Sequence, residues 1–161
     1  MKNEFIRYIN NAKKNLNKAK YIDKEHYLDE KYITTAGQQI WLGFLKVMEY
    51  FTNCRKKQDD FNLDLPSSKI YSISIFDYFV CFSQIEINEI LIISKLKDFY
   101  SFFHKDMGYA GYSNVYDIQR KIHEALELVN FLFDNEEEIK SNILEYQPRT
   151  RKEKPQIFLT Q

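Results

Sequence analysis

Few residues of this chain could carry out chemistry, and none stands at the spacing of a recognised catalytic site. Arg120 and His123 lie three positions apart, so on a helix they would share a face and could act together on a phosphodiester. The same pair of residue types also occurs by coincidence on ordinary helix surfaces. We favour a solvated helix face, with Arg120 and His123 as weak catalytic candidates.

A second candidate site surrounds residues 103–112, which end one helical pattern and begin another. Gly108 and Gly111 can take the positive φ of a tight turn. His104 follows Tyr100 by four residues, so we expect its imidazole beside that ring, satisfied there or by a backbone carbonyl rather than acting as a general base. A structural corner is the favoured interpretation. The alternative is a small-ligand pocket formed by Tyr32, Trp41, Tyr100, His104 and Tyr109.

Other catalytic and metal-binding chemistry lacks its characteristic spacing. The histidines His26, His104 and His123 include no pair four residues apart, as a helical zinc site needs. No nucleophile elbow, phosphate loop or dinucleotide fingerprint occurs, because the glycines do not form a glycine-rich run. The sequence predicts no metal and no cofactor, and it favours a protein without enzyme activity.

The composition predicts one domain built from a few long helices. The chain has 161 residues, of which 16% are aromatic, including 13 phenylalanines and 12 tyrosines. So many aromatic side chains favour a core that is rich in aromatic rings. Four glycines and three prolines are too few for the frequent turns of a β-sandwich or barrel. The formal net charge is zero, so any attraction to nucleic acid must come from a local patch.

The cysteines and the apolar stretches indicate where in the cell the protein is expected to be. Cys54 and Cys81 do not form a closely spaced pair, which favours free thiols in a reducing compartment. The longest apolar stretches, residues 75–82 and 90–93, fall far short of the roughly 18 residues that a membrane-spanning helix needs. We therefore predict a cytoplasmic protein without a membrane segment.

Apolar residues recur at steps of three and four in four segments, and this period predicts four long helices. A shorter stripe adds a fifth helix, and either Ser113 or Asn114 is expected to cap the fourth. The second helix contains small residues, among them Gly37 and Gly43, which would allow a neighbouring helix to approach closely. The predicted helices span residues 3–20, 29–53, 88–107, 114–132 and 136–146.

The remaining segments complete the predicted architecture. Residues 55–68 are expected to form a loop, and residues 69–85 fit either a short helix or an extended segment. Four apolar stripes cannot each be buried alone, so we predict an all-α fold, an antiparallel four-helix bundle with one or two extra short helices. Residues 1–146 would form this single domain, and residues 147–161 a basic, flexible tail.

The first helix carries a basic row opposite its apolar stripe. Arg7, Asn11, Lys14 and Lys18 recur at steps of four, three and four. A solvated outer face is the favoured interpretation. The alternative is a nucleic-acid contact through Arg7, Lys14 and Lys18, since each phosphate contact releases counterions.

Three motifs in this order resemble a family of small bacterial proteins of unknown function. They are YINNAK at residues 8–13, KYITTAG at residues 31–37, and YxxxHxxMGYxG at residues 100–111. The resemblance covers about residues 5–133 and implies an all-helical bundle without a known activity. More distantly, the chain is similar to HEPN domains, whose active members cleave RNA through an arginine and a more widely spaced histidine.

These observations favour a non-enzymatic helical module that forms a homo-oligomer or binds a protein partner. An RNA-binding or RNA-cleaving HEPN-like protein is the alternative, and a small-ligand-binding bundle is the weaker one.

Overall fold

Helices account for most of the described structure, which confirms the predicted all-α fold class. The computed structural model describes residues 1–58 and 75–145, without the side chains of residues 53–58 and 76. The predicted tail at residues 147–161, most of the predicted loop and residues 69–74 lie outside the described residues. The elements are α1 (Lys2–Ala19), α2 (Glu30–Gln58), α3 (Ile75–Phe82), β1 (Glu86–Ile87), β2 (Ile90–Leu91), α4 (Ile92–Phe99), a π-helix (Tyr100–Met107), α5 (Val115–Asp134) and α6 (Glu136–Glu145).

Helix α2 is the central element, because it contacts α1, α3, the π-helix and α6. Its residue Phe44 is fully buried, and the ring centroid lies 5.1 Å from that of Phe5 in α1 and 5.1 Å from that of Phe99 in α4. The apolar stripes predicted for the first and fourth long helices are buried as well. Each buried phenylalanine stabilises the fold by roughly 1.5–3 kcal/mol, so these rings hold the helices together.

The π-helix approaches α2 closely at Gly37. A Cβ atom on Gly37 would lie 2.6 Å from Met107 Cβ and 2.6 Å from the Phe103 carbonyl oxygen. Any larger residue would push the two helices apart. The prediction that small residues in the second helix admit a close neighbour is therefore confirmed.

The predicted start of the third long helix at residue 88 is wrong. Asn88 and Glu89 have φ values of 52° and 64°, and they join β1 to β2 as the two central residues of a tight turn. Two consecutive positive φ values are the geometry of a type I′ hairpin, in which the backbone cannot continue as an α-helix. The helix consequently begins at Ile92.

The second half of that helix is wound as a π-helix. The predicted end near residue 107 is confirmed, but Gly108 has φ −69° and does not take the left-handed conformation. Gly111 takes it instead, with φ +67°. The Gly108 N–H donates to the Phe103 carbonyl oxygen at 3.0 Å, and the Ala110 N–H donates to Lys105 at 3.0 Å, so five-residue hydrogen bonds persist through the corner.

Other boundaries depart from the predictions by smaller amounts. Helix α2 continues to Gln58, so residues 55–58 are helical rather than part of the predicted loop. Within the undecided segment, residues 75–82 form α3. Asn114, not Ser113, caps α5, because its side chain accepts a hydrogen bond from the Asp117 N–H at 2.9 Å. Across the described helices, no segment is both long enough and apolar enough to cross a membrane.

Candidate functional site

The structure brings together four of the five predicted pocket residues, where the π-helix packs against α2. The Trp41 ring lies 5.1 Å from Tyr100 and 6.1 Å from His104. His104 stacks on Tyr100 at 5.1 Å, and the Tyr109 ring meets it edge-on at 4.9 Å. Tyr32 does not join the group: among the described residues its only ring contact is with a lysine beside it in sequence, Lys31.

A glutamine that the sequence did not single out orients His104. The His104 Nδ1 lies 3.1 Å from Gln38 Oε1, while Gln38 Nε2 donates to the Gly108 carbonyl oxygen at 3.1 Å. With its NH₂ group committed to Gly108, Gln38 offers an acceptor, so His104 donates from Nδ1 and leaves Nε2 unprotonated. Burial, assisted by the charge of Lys105, lowers the pKa of His104, so the ring is neutral near pH 7.

This aromatic cluster is packed rather than open. Trp41 is buried and Tyr100 is half-buried, while Lys105 places its ammonium over the Tyr100 ring at 5.1 Å. The two surface clefts that adjoin Tyr21 are lined by other residues. The cluster therefore fixes the end of the π-helix, and only Tyr109 turns most of its surface, 69%, toward solvent.

Exposed tyrosines continue from Tyr109 into α5. Tyr112 is 39% exposed and Tyr116 is 73% exposed. The Tyr112 ring packs edge-on against Phe102 at 5.7 Å, and its hydroxyl donates a short hydrogen bond to Asp117. That hydrogen bond raises the pKa of the Tyr112 hydroxyl, which therefore stays protonated at neutral pH. We call Tyr109, Tyr112 and Tyr116 the tyrosine corner.

The two catalytic candidates have separate partners on α5. Arg120 pairs with Asp117 at 3.6 Å, and His123 pairs with Glu127 at 3.0 Å. Both side chains are more than half exposed. Each side chain is thus held by its own carboxylate along the helix, which is an ordinary arrangement of polar side chains on a helix surface.

His123 also lines a groove that the sequence did not predict, between α1 and α5. The groove has a volume of about 380 Å³. Its floor is apolar, and its walls carry polar and aromatic side chains. The sequence could have indicated the α1 wall through the four-residue step from Lys13 to Asn17, but the facing wall depends on tertiary packing. The lining residues are Lys13, Leu16, Asn17, Tyr21, Tyr27, Gln119, Ile122, His123 and Leu126.

The end of the groove is built by the segment between α1 and α2. The Asp23 carboxylate accepts hydrogen bonds from the Glu25 and His26 N–H groups at 2.7 Å and 2.9 Å, which close a narrow hairpin. Tyr21 and Tyr27 pair across this hairpin, and their rings stack at 5.3 Å. Burial raises the pKa of the Tyr27 hydroxyl, so it stays protonated.

The basic row of α1 lies on the surface. Arg7, Lys14 and Lys18 are exposed, and Arg7 pairs with Glu4 at 3.6 Å. Within residues 1–58 and 75–145, no three histidine, cysteine, aspartate or glutamate side chains are grouped so that they could hold a metal ion.

The comparisons with known proteins give one match. Residues 1–134 match the model of a family described as a domain of unknown function. No match was found among curated proteins or among solved structures. The matched range covers α1 to α5, and thus the aromatic cluster, the tyrosine corner and the groove.

Proposed function

The chain belongs to that family, DUF5618, and we propose that it is a helical module that associates with a second copy of itself through the tyrosine corner. The observation that carries this proposal is the exposure of three large aromatic side chains within eight residues of chain, Tyr109, Tyr112 and Tyr116. Tyrosine is enriched at protein interfaces, because its ring buries apolar area while its hydroxyl can still be hydrogen-bonded.

Two of the three rings of the tyrosine corner are held in place before any partner binds. The Tyr109 ring is held against His104, and the Tyr112 ring against Phe102. His104 in turn is fixed by Gln38. Association would therefore cost little side-chain entropy at these rings, which is the condition under which exposed aromatics become binding hot spots.

The charges around the corner favour a second copy of this chain as the partner. Lys105 and Asp106 precede Tyr109 and are exposed, and Asp117 and Arg120 follow Tyr116. A two-fold dimer brings the same surface together twice, so it needs both signs of charge on one patch. This patch has two cations and two anions, and the zero net charge of the chain adds no general repulsion.

We also propose that α1, α2, α5 and the continuous α4 and π-helix form an antiparallel four-helix bundle of the HEPN-like kind. Pairwise packing of α1 with α2, α2 with the π-helix, α1 with α5 and α4 with α5 supports this architecture. In such bundles the apolar stripes of the helices face one another and form the core.

Size-exclusion chromatography with light scattering tests the self-association. The wild-type chain should elute with twice the mass of a single chain, and the double variant Tyr109→Ser/Tyr116→Ser with the mass of one. Leu144→Ser is the matched control, because Leu144 is an exposed apolar residue on α6, beyond the far end of the 20-residue α5. Monomeric wild-type protein, or a dimer that survives the double substitution, would contradict the proposal. Monomeric wild-type protein that binds another protein through the same tyrosines would indicate a different partner.

A further inference from the structure

We propose that the groove between α1 and α5 is a binding site for a small planar aromatic anion of nucleoside-monophosphate size. Its volume of about 380 Å³ lies within the range of roughly 300–1,000 Å³ that is typical of ligand pockets. The groove combines an aromatic surface at one end with cationic and amide groups along its walls. This site is distinct from the tyrosine corner and does not depend on self-association.

The aromatic end is formed by the hairpin between α1 and α2. Tyr27 is buried, and Tyr21 stacks on it at an interplanar angle of 22° while remaining 57% exposed. Tyr21 is thus a supported ring with accessible surface beside the groove. A planar ring that stacks on such a tyrosine gains dispersion and quadrupole interactions without ordering a flexible side chain.

The position of the polar end of the groove follows from the directions of α1 and α5. A backbone bridge joins His26, in the segment that follows α1, to Asn114, which caps α5. It places the end of α1 near the start of α5, so the two helices run antiparallel along the groove. Lys13 lies six residues, about 9 Å, before the end of α1 at Ala19, and this places it toward His123 and away from the hairpin. That separation leaves room for a ring, a sugar-sized linker and one anionic group.

The donors on the α1 wall are available to a ligand. Among the described residues, the side chains of Lys13 and Asn17 have no hydrogen-bond or ion-pair partner. An ammonium and an amide one helical turn apart can together bind the oxygens of one phosphate or carboxylate group. Across the groove, Glu127 holds His123 at 3.0 Å and competes with an anion for that imidazole.

Calorimetric titration of the full chain with adenosine monophosphate tests the site. Ribose 5-phosphate lacks the ring and adenosine lacks the anion, so each should bind at least about tenfold more weakly than the nucleotide if both ends contribute. Tyr21→Ser should weaken nucleotide binding at least about fivefold. Lys13→Gln should weaken it about two- to fivefold, since the contact is exposed to solvent.

Two further variants make the test specific. Lys14→Gln is the matched control, because Lys14 is the next residue on α1 and does not line the groove, so nucleotide affinity should not change. Glu127→Gln should strengthen binding about two- to fivefold by releasing His123. Tyr109→Ser should leave binding unchanged, which separates this site from self-association.

The proposal is overturned if the nucleotide does not bind at millimolar concentration. It is also overturned if Lys13→Gln and Lys14→Gln weaken binding equally, or if only a longer oligonucleotide binds. Those outcomes would indicate a non-specific contact with the basic surface of α1.

Discussion

Replacing Gly37 with alanine should destabilise the protein, although alanine is the better helix former. In both Gly37→Ala and the matched variant Gly43→Ala, the substitution within α2 gains about 1 kcal/mol of helix propensity. The two sites differ in what the new methyl group meets. At Gly37 it would meet the Phe103 carbonyl oxygen at 2.6 Å and the Gly108 backbone nitrogen at 2.9 Å.

Those backbone atoms belong to the π-helix and its cap, so they can withdraw only if the whole helix shifts. Overpacking of this kind costs typically 1–3 kcal/mol, and three contacts below 3.0 Å place Gly37→Ala at or above the upper end of that range. The net loss is expected to be about 2 kcal/mol. For a chain of this size that corresponds to a fall of roughly 4–8 °C in the melting temperature.

The control site is more tolerant. At Gly43 the methyl group would meet Phe5 Cδ2 at 3.0 Å and Tyr8 Cβ at 3.1 Å, and a small rotation of the Phe5 ring can relieve the closer contact. We expect the propensity gain and the packing cost to cancel to within about 0.5 kcal/mol.

Urea denaturation followed by circular dichroism and by the fluorescence of Trp41, the single tryptophan, gives both free energies of unfolding. Circular dichroism reports the helical content, and Trp41 fluorescence reports the packing of Trp41 against the π-helix. Equal free energies for the two variants, or a more stable Gly37→Ala protein, would refute the close approach of α2 and the π-helix. A changed m-value would show instead that the variant alters the compactness of the unfolded or native state or breaks two-state unfolding.

Three other predictions concern titrating groups and a helix cap. The ion-paired hydrogen bond from Lys140 lowers the pKa of Glu136 below 4.5, so wild-type stability should fall as the pH drops below that value. The Glu136→Gln variant should lose less stability than the wild type between about pH 7 and about pH 3, as measured by denaturation at each pH. Asn114→Ala should cost about 1 kcal/mol in a thermal melt, whereas Ser113→Ala, which removes no cap, should change stability by less than about 0.5 kcal/mol. Burial lowers the pKa of His104 below 6.5, so stability should decline as the pH falls below that value, and NMR titration of the imidazole should give a midpoint below it.

The long helices were predictable because their apolar stripes have a strong period. All five stripe residues of α1, from Phe5 to Ala19, are buried. The π-helix was not predictable, because Phe99, Phe103 and Met107 recur at steps of four, and this spacing fits an α-helix and a π-helix alike. The segment also packs against Gly37, which lies far away in sequence, so this contact cannot be inferred from the local spacing.

The turn at residues 88–89 lacks the usual sequence signal. A type I′ hairpin favours glycine at the second central position, and this chain has Glu89 there. The two strands that flank the turn are each only two residues long, too short for an alternation of apolar and polar residues to be recognised.

The candidate sites were predictable to different degrees. The ring contacts of His104 with Tyr100 follow from a four-residue step in one segment. Gln38 and the groove were missed, because each requires knowing which helix faces which. The exposure of the tyrosine corner could not be predicted either, since the sequence allowed Tyr109 to belong to a structural corner or to line a small-ligand pocket.

Sedimentation equilibrium of the wild-type chain over a range of concentrations tests self-association most directly. The fitted mass should rise from the 19.5 kDa of one chain toward twice that value as the concentration increases. For Tyr109→Ser/Tyr116→Ser it should stay at 19.5 kDa over the same range, with helical content unchanged by circular dichroism. A wild-type mass that remains at 19.5 kDa throughout would contradict the account.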